Sequence, residues 1–409
     1  MRTFVIAGAG LCGATAAATL REEGFDGRLV LAGAEPLAPY ERPPLSKEAL
    51  RGEQASDAAT VRTAEWYEDN DVELHTGDPV VAIDLGARTA ALQTGERIAY
   101  DAVLLASGVR NRTLDTPGVD LPGVFELRTA ADCDEIRAAA ERASKVLVVG
   151  LGFIGAEVAA SMRALGKDVT VVEVFHTALQ RALGPEDGHA MEELHREHGV
   201  ELVMSDTVER FEGTGSLEAA VTDAGRRIET DLAVVGVGTL PNTHLAHGAG
   251  LELGTNVGIA VDATLRTSAP DVFAAGDVAD HDHPLFGRIR VEHYDNAIKM
   301  GVTAAKNMLG AGIAHDDPHW FWSDQYDTQL QVAGIETAWD RRVIRGDEDE
   351  RRYAAFYLEK GVLRRVVSIG YPREARRALR LIAAQARPDP GALADPDVDI
   401  RTLAPPVAS

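Results

Sequence analysis

The chain has 409 residues, 45% hydrophobic and 26% charged, a size suited to two or three domains rather than one core. It holds no run of about 18 apolar residues, so the sequence offers no transmembrane helix, and its N-terminus lacks the n-region, h-region and cleavage site of a signal peptide, which reads as a cytoplasmic protein. A formal net charge of −23 excludes partners that need a basic footprint, nucleic acid and anionic membrane among them.

That charge is uneven. From residue 331 onward, 14 Lys/Arg stand against 12 Asp/Glu, so the acidity lies before that point. The two cysteines, Cys12 and Cys133, form no C-x-x-C pair and no zinc or iron–sulfur ligand set. Cys12 reads as a small packing residue inside a glycine turn, and Cys133 as incidental in a polar helix start.

In chain order, a β-rich run over 3–7 leads into Gly8-x-Gly10-x-x-Gly13, an alanine-rich helix, a strand over 28–32 and the acid Glu35. This is the order of a dinucleotide-binding βαβ unit. Gly8 makes the tight turn, Gly10 lets the backbone approach a pyrophosphate, and Gly13 lets helix and strand pack closely. The helix N-terminus offers free N–H groups to phosphate, and Glu35 lies far enough along to accept from a ribose. Three prolines within 39–47 predict an extended loop with a helix start near Ser46. A helix over 63–71 and strands over 72–76, 79–84, 89–93 and 98–99 follow. A buried strand over 101–106 and a crossover over 117–123 complete the stretch.

A second unit then begins: strand 145–149, Gly150-Leu-Gly152-Phe-Ile-Gly155, helix 156–165, strand 168–172 and the acid Glu173. The two units lie about 140 residues apart and form an internal repeat, as expected of a protein that holds two dinucleotides at once. Further on, the pattern predicts a helix over 187–197 and strands over 200–204, 218–222 and 226–230. An apolar run over 231–237 ends at Gly238, where the chain crosses back. A strand ending in Gly276-Asp277 sets a carboxylate at the carboxyl end of a sheet, where ligands sit in open α/β folds. A helix over 296–309 is followed by strands over 330–333, 354–358 and 363–369 and a helix over 373–386. This last region lacks a glycine fingerprint and reads as a separate C-terminal domain, with an irregular surface tail after Arg387.

Several segments together resemble the FAD-dependent, NAD(P)H-linked ferredoxin reductases that serve oxygenases, with rubredoxin reductases and apoptosis-inducing factor as relatives. They are Pro39-Tyr-Glu-Arg-Pro-Pro-Leu-Ser-Lys47, Leu127-Arg-Thr129, Val148-Val-Gly-Leu-Gly-Phe-Ile-Gly155-Ala-Glu157-Val158, Gly276-Asp277-Val278, Val291-Glu-His-Tyr-Asp-Asn296-Ala297 and Phe321-Trp322-Ser-Asp324-Gln325. The resemblance spans nearly the whole chain. It implies an α/β fold with two Rossmann-like dinucleotide-binding domains in a glutathione-reductase-like arrangement, plus an α+β C-terminal domain. The expected segments are 1–112 and 237–316 for FAD, 113–236 for NAD and 317–409 for the C-terminal domain.

The resemblance also implies roles. Gly8, Gly10, Cys12 and Gly13 line the FAD pyrophosphate, Glu35 meets the ribose, and Arg42 and Lys47 contact FAD, Lys47 beside the isoalloxazine. Val81 and Arg128 flank the adenine half, Asp277 holds the ribityl chain, and Tyr294 and Trp322 lie near the flavin ring. Gly150, Gly152 and Gly155 hold the nicotinamide cofactor, with Ile154 and Gly238 among its binding positions. Phe153 matches an aromatic that covers the flavin until nicotinamide displaces it, and Glu157 approaches Lys47 and the carboxamide.

A lysine near flavin N5 stabilises the charge that arrives with a hydride, and a nearby glutamate limits it. Lys47 and Glu157 are therefore the expected catalytic pair; spacing alone allows an ordinary ion pair. Glu173 is expected to accept the ribose 2′-OH and repel a 2′-phosphate, which favours NADH over NADPH. The sequence departs from the family pattern at Ala34, at Tyr294, where a tryptophan is frequent, and after Asn296, where an arginine used at some docking faces is absent.

The favoured reading is an enzyme that passes a hydride from NADH to FAD and then single electrons to a 2Fe–2S ferredoxin. That ferredoxin serves a cytochrome P-450-type monooxygenase or a Rieske dioxygenase. The rivals are a disulfide reductase, which needs a redox-active cysteine that segment 41–47 lacks, an NADH oxidase or rubredoxin reductase-type flavoenzyme, and a redox-sensing flavoprotein. Arg341, Arg342, Arg364, Arg365, Arg373, Arg376 and Arg377 are the basic candidates for meeting an acidic ferredoxin. Oligomeric state stays open between monomer and dimer.

Overall fold

The computed structural model describes residues 1–371 and 373–404. The chain divides into two compact units: Met1–Glu41, Asp57–Arg110 and Leu240–His319 form one, and Arg42–Ser56, Asn111–Thr239 and Trp320–Ser409 the other. The proline segment 42–56, which the sequence places with the first nucleotide-binding segment, thus packs within the second unit.

The first unit is built on a five-stranded parallel sheet in the spatial order Val272–Ala274, Ala102–Leu105, Thr3–Ala7, Arg28–Ala32, Val72–His75. Its central strands are continuous apolar runs buried on both faces, as a parallel sheet covered by helices requires. Helix Tyr294–Met308 lies against helix Leu11–Glu22, and Gly301 permits the approach: a Cβ there would stand 2.6 Å from the Cys12 carbonyl oxygen.

The second unit repeats this plan. Its parallel sheet runs Glu201–Met204, Asp168–Glu173, Lys145–Val149, Leu232–Val235, Val124–Glu126. The repeat goes beyond the glycine motif. In each unit a three-stranded antiparallel meander is inserted before the parallel strand that pairs with the glycine-turn strand on the side away from the second strand, Val80–Asp84 to Arg97–Ala99 in the first and Val208–Glu212 to Arg227–Glu229 in the second. The second unit also carries an antiparallel sheet in the order Trp320–Gln325, Thr328–Gly334, Val362–Ile369, Arg352–Glu359, Arg341–Asp347, with helix Arg373–Ala383 packed on it.

Several expectations are corrected. Both glycine-turn helices start inside the motif, at Leu11 and Phe153, so the third glycine falls in the first helical turn. The prolines at 43 and 44 open a short 3-10 helix over Pro43–Ser46 instead of an extended loop, because proline is preset for the first helical positions. Strands Val124–Glu126, Val208–Glu212, Trp320–Gln325 and Arg341–Asp347 escape the sequence pattern; the last, with three arginines and an aspartate in seven residues and no alternation, reads as polar. Cys133 is not incidental. It is fully buried, its Sγ lies 3.3 Å from the Leu45 carbonyl, and burial pushes its thiol up to about 11.

The tail is not irregular over its described part. It forms helix Pro390–Ala394 and a 3-10 turn at Ile400–Leu403, burying Leu393 and Ile400. The cause is Arg345, which is 2% exposed and needs acceptors. It donates to the carbonyls of Ala392 (3.0 Å), Leu393 (2.7 Å) and Val398 (3.0 Å) and to Glu374 (3.2 Å). Residues 405–409 of that tail lie outside the described residues.

Candidate active site

In the first unit, Gly8 takes φ +127°, and a Cβ there would meet the Ala106 carbonyl oxygen at 2.2 Å. A Cβ on Gly13 would stand 1.9 Å from the Gly8 oxygen, while one on Gly10 would meet nothing within 4 Å. The turn is therefore closed on its inner side and open at Gly10, the N-cap of helix Leu11–Glu22. An open backbone at a helix N-terminus suits a phosphate, so the residues present fit the pyrophosphate of a dinucleotide.

Cys12 lies buried beneath this turn, and burial, aided by the charge of Asp277, pushes its thiol well up. It is a packing group, not a nucleophile. Glu35 accepts from the Tyr40 hydroxyl at 2.5 Å. Tyr294 donates to Glu41 Oε1 at 2.6 Å, and burial and that carboxylate both raise its phenol. Asp277 stands in the short 3-10 turn Gly276–Val278, where the Arg290 guanidinium reaches its carbonyl oxygen at 3.2 Å. Val81 is 47% exposed, at an irregularity in the meander.

The second unit rebuilds the same turn: Gly150 takes φ +97°, a Cβ on Gly155 would stand 2.0 Å from the Gly150 oxygen, and one on Gly152 would meet nothing within 4 Å. Gly238 is likewise open, with φ +106°. Glu173 closes the turn in a way the sequence does not suggest. Its carboxylate is buried and accepts from the backbone N–H groups of Leu151 and, at 2.8 Å, Phe175. Arg181 lies with its guanidinium 4.9 Å from the Phe175 ring centroid.

From the same turn rises helix Phe153–Ala164. Ile154 is exposed, and Phe153 meets the Phe321 ring edge-on at 4.9 Å. One turn later stands Glu157, 5% exposed. Lys47 Nζ is 2.7 Å from its Oε2 and also donates to the Pro43 carbonyl at 3.1 Å. Ser46 Oγ donates to the same Oε2 at 2.5 Å, and Ser323 Oγ to Oε1 at 2.7 Å. Ser161, a further turn on, donates to the Ser46 carbonyl at 2.6 Å. Arg42 precedes the 3-10 turn and donates to the Arg128 carbonyl at 2.5 Å.

Ser46 and Ser323 carry no signal of their own in the sequence, where the charged and aromatic members of their motifs are the ones that suggest chemistry. Alternation in the strand would have revealed the second: Phe321, Ser323 and Gln325 share one face and Trp320, Trp322 and Asp324 the other. On that other face Trp322 stacks on Trp320 at 5.1 Å, and the Arg376 guanidinium lies 4.0 Å from the Trp320 centroid. Of the arginine candidates, Arg342 is tied to Asp187 (2.6 Å), Arg365 is buried, and Arg364 and Arg377 pair with Glu359 (3.1 Å) and Glu374 (2.9 Å), while Arg341, Arg373 and Arg376 are exposed. Among the described residues no group of histidines, cysteines and acids could hold a metal ion, and no helix is long and apolar enough to cross a membrane.

Comparison with known proteins agrees with these turns. Residues 2–301 match the pyridine nucleotide-disulphide oxidoreductase family and residues 320–404 the reductase C-terminal domain. The chain is 37% identical over 401 residues to rhodocoxin reductase of Rhodococcus erythropolis, covering 98% of this chain and 93% of that one. It is 40% identical over 404 residues to the ferredoxin–NAD(+) reductase component of the anthranilate 1,2-dioxygenase system of Burkholderia cepacia, covering 98% of each. The crystal structure of the ferredoxin reductase for the CYP199A2 system from Rhodopseudomonas palustris superposes with a TM-score of 0.94 at 34% identity, covering 99% of this chain and 100% of that one. Two glycine turns on two parallel sheets, followed by the reductase C-terminal domain, thus place the chain in the pyridine nucleotide-disulphide oxidoreductase family, among its FAD-dependent ferredoxin–NAD(+) reductases.

Proposed function

We propose that this chain takes electrons from NADH and delivers them singly to a 2Fe–2S ferredoxin that serves an oxygenase, in the cytoplasm, where NADH is supplied. The observation that carries the reading is the buried Lys47–Glu157 pair (2.7 Å). Segment 41–47 holds a fixed cation where a disulfide reductase of this fold requires a redox-active cysteine, and both thiols of the chain are buried and raised.

We assign FAD to Gly8, Gly10, Cys12 and Gly13 at the pyrophosphate, Glu35 at the ribose and Asp277 at the ribityl chain. Arg42, Lys47, Val81, Arg128, Tyr294 and Trp322 complete its contacts. Bound FAD supplies the conversion of a two-electron donor into one-electron steps. Lys47 offers a positive charge held by a carboxylate and a carbonyl, so it costs no reorganisation when negative charge arrives. Glu157 offsets that charge and presents an acceptor for a nicotinamide carboxamide. Gly150, Gly152, Gly155 and Gly238 with Phe153 and Ile154 receive the nicotinamide cofactor. Glu173 rejects a 2′-phosphate by charge.

The test is anaerobic. Purified yellow protein is mixed with NADH and its flavin colour followed; oxidised 2Fe–2S ferredoxin and cytochrome c are then added. Fast bleaching, with cytochrome c reduced only when ferredoxin is present, is the expected result. Fast bleaching without transfer to any ferredoxin, and rapid peroxide formation in air, would replace this reading by an oxidase.

A further inference from the structure

Glu157 is the end of a buried line of side chains within the second unit. From Glu157 Oε1 the line runs to Ser323 Oγ (2.7 Å), from Ser323 Oγ to Gln325 Nε2 (3.2 Å), from Gln325 Oε1 to His195 Nε2 (3.0 Å), and from His195 Nδ1 to the Tyr326 hydroxyl (3.0 Å). Ser323, Gln325 and His195 are each fully buried. The geometry follows from matched repeats. Four residues of helix rise about 6 Å and two of strand about 6.6 Å, so Phe153 and Glu157 on the helix fall opposite Phe321 and Ser323 on the strand.

One charge fixes the direction of every proton in this line. A carboxylate paired with a lysine only accepts, so the Ser323 hydroxyl hydrogen points to Glu157. Ser323 Oγ then accepts, so the amide group of Gln325 faces it and the carbonyl oxygen of Gln325 faces His195. His195 must donate from Nε2, which leaves its Nδ1 to accept from Tyr326. Burial holds the ring neutral down to about 4, so a single tautomer meets the requirement. The outer end is locked too. Tyr326 sits in the two-residue turn after strand Trp320–Gln325 at φ +56°, a strained setting for a bulky residue, and its ring stacks on His198 at 3.6 Å.

We propose that Ser323, Gln325 and His195 are positioning residues for the reaction proposed above: a one-directional line of donors that keeps the Glu157 carboxylate charged and aimed at Lys47. This rests on the assignment of the Lys47–Glu157 pair to flavin reduction. Lys47 faces Glu157 directly, Arg51 reaches Ser161 on the same helix at 3.5 Å, and at the outer end the Arg163 guanidinium acts on Tyr326, whose ring stacks on the titratable His198.

Two measurements test the proposal. Nitrogen-15 NMR of histidine-labelled protein, with the His195 resonance assigned by a His195→Gln variant, should show the Nε2–H tautomer, with and without added FAD. An Nδ1–H tautomer would overturn the line. Stopped-flow reduction by NADH across pH supplies the second. Ser323→Ala and Gln325→Leu remove a donor to, or behind, a charged acceptor, so the acid limb of the rate profile should move up by about one pH unit. Ser323→Thr should restore it. An unmoved limb, with Lys47→Ala still slowing reduction, overturns the positioning role and leaves the proposed function standing. If Lys47→Ala itself leaves the rate unchanged, the assignment of the pair fails, and the tautomer alone judges the line. A variant that loses its flavin is replaced by the threonine variant and the wild-type tautomer.

Discussion

Acidification should loosen the first unit well before its carboxylates titrate. His281, His283, His315 and His319 are buried together there, with ring centroids 5.2 Å apart between His281 and His283 and 5.4 Å between His281 and His315. Burial first, then the neighbouring imidazoles, lowers His281 from 6.5 to about 3; burial lowers His315 to about 4. Because the folded values lie below the unfolded one, the unfolded chain takes up protons first as pH falls. The stability these rings contribute is fully present above pH 6.5 and is lost between 6.5 and about 4 for His315 and about 3 for His281. At pH 5.5 each unfolded imidazole is protonated about ten to one, worth about 1.4 kcal/mol, so the two rings together cost about 3 kcal/mol. That is a large share of an ordinary folding free energy of about 5–15 kcal/mol. Urea titrations at pH 7.5 and 5.5, read by the rise of flavin fluorescence on release, should show a lower midpoint at the acid pH, and His281→Phe should remove one ring's share of the difference, about 1.4 kcal/mol. Equal midpoints, or a higher one at pH 5.5, would refute the reasoning.

Other changes act on the site and on the tail. Lys47→Ala strands a buried carboxylate, which costs about 3–5 kcal/mol locally. It should slow flavin reduction by NADH more than it lowers flavin content; loss of flavin with an unchanged rate in the remainder would make Lys47 a binding residue only. Glu173→Gln keeps one acceptor for the amides of Leu151 and Phe175 while removing the charge. The preference for NADH over NADPH should narrow in kcat/KM, and an unaltered ratio removes Glu173 from the discrimination. Arg345→Met leaves the carbonyls of Ala392, Leu393 and Val398 without their donor. Limited proteolysis should then cut between residues 387 and 400 faster than in the wild type; equal resistance would show that the buried Leu393 and Ile400 hold the tail by themselves.

What was legible in the sequence is what neighbouring residues encode. A glycine at a fixed offset from a strand marks a turn that only glycine can make, and both turns stand where the motif put them, as do most strands of the two parallel sheets. What was illegible needed partners far along the chain. Arg342, on a strand, reads as a surface charge until Asp187, buried on helix Gln180–Glu197, is found 2.6 Å away, with the Tyr353 hydroxyl 2.9 Å from the same carboxylate. The tail composition says irregular, and only the buried guanidinium of Arg345 explains why it folds.

Glu35 and Glu173 show how two acids that the sequence reads alike are built differently. Glu35 stands three residues beyond its strand and Glu173 is the last residue of its own, and both are assigned to a ribose. Yet Glu35 meets a tyrosine hydroxyl, while Glu173 is fastened to two backbone N–H groups, one of them in its own glycine turn. A hydroxyl rotates away from a carboxylate at little cost, whereas freeing two buried amides costs about 1–3 kcal/mol each. Glu173 therefore holds the shape of its turn. The discrimination proposed for it would then be set before any nucleotide arrives.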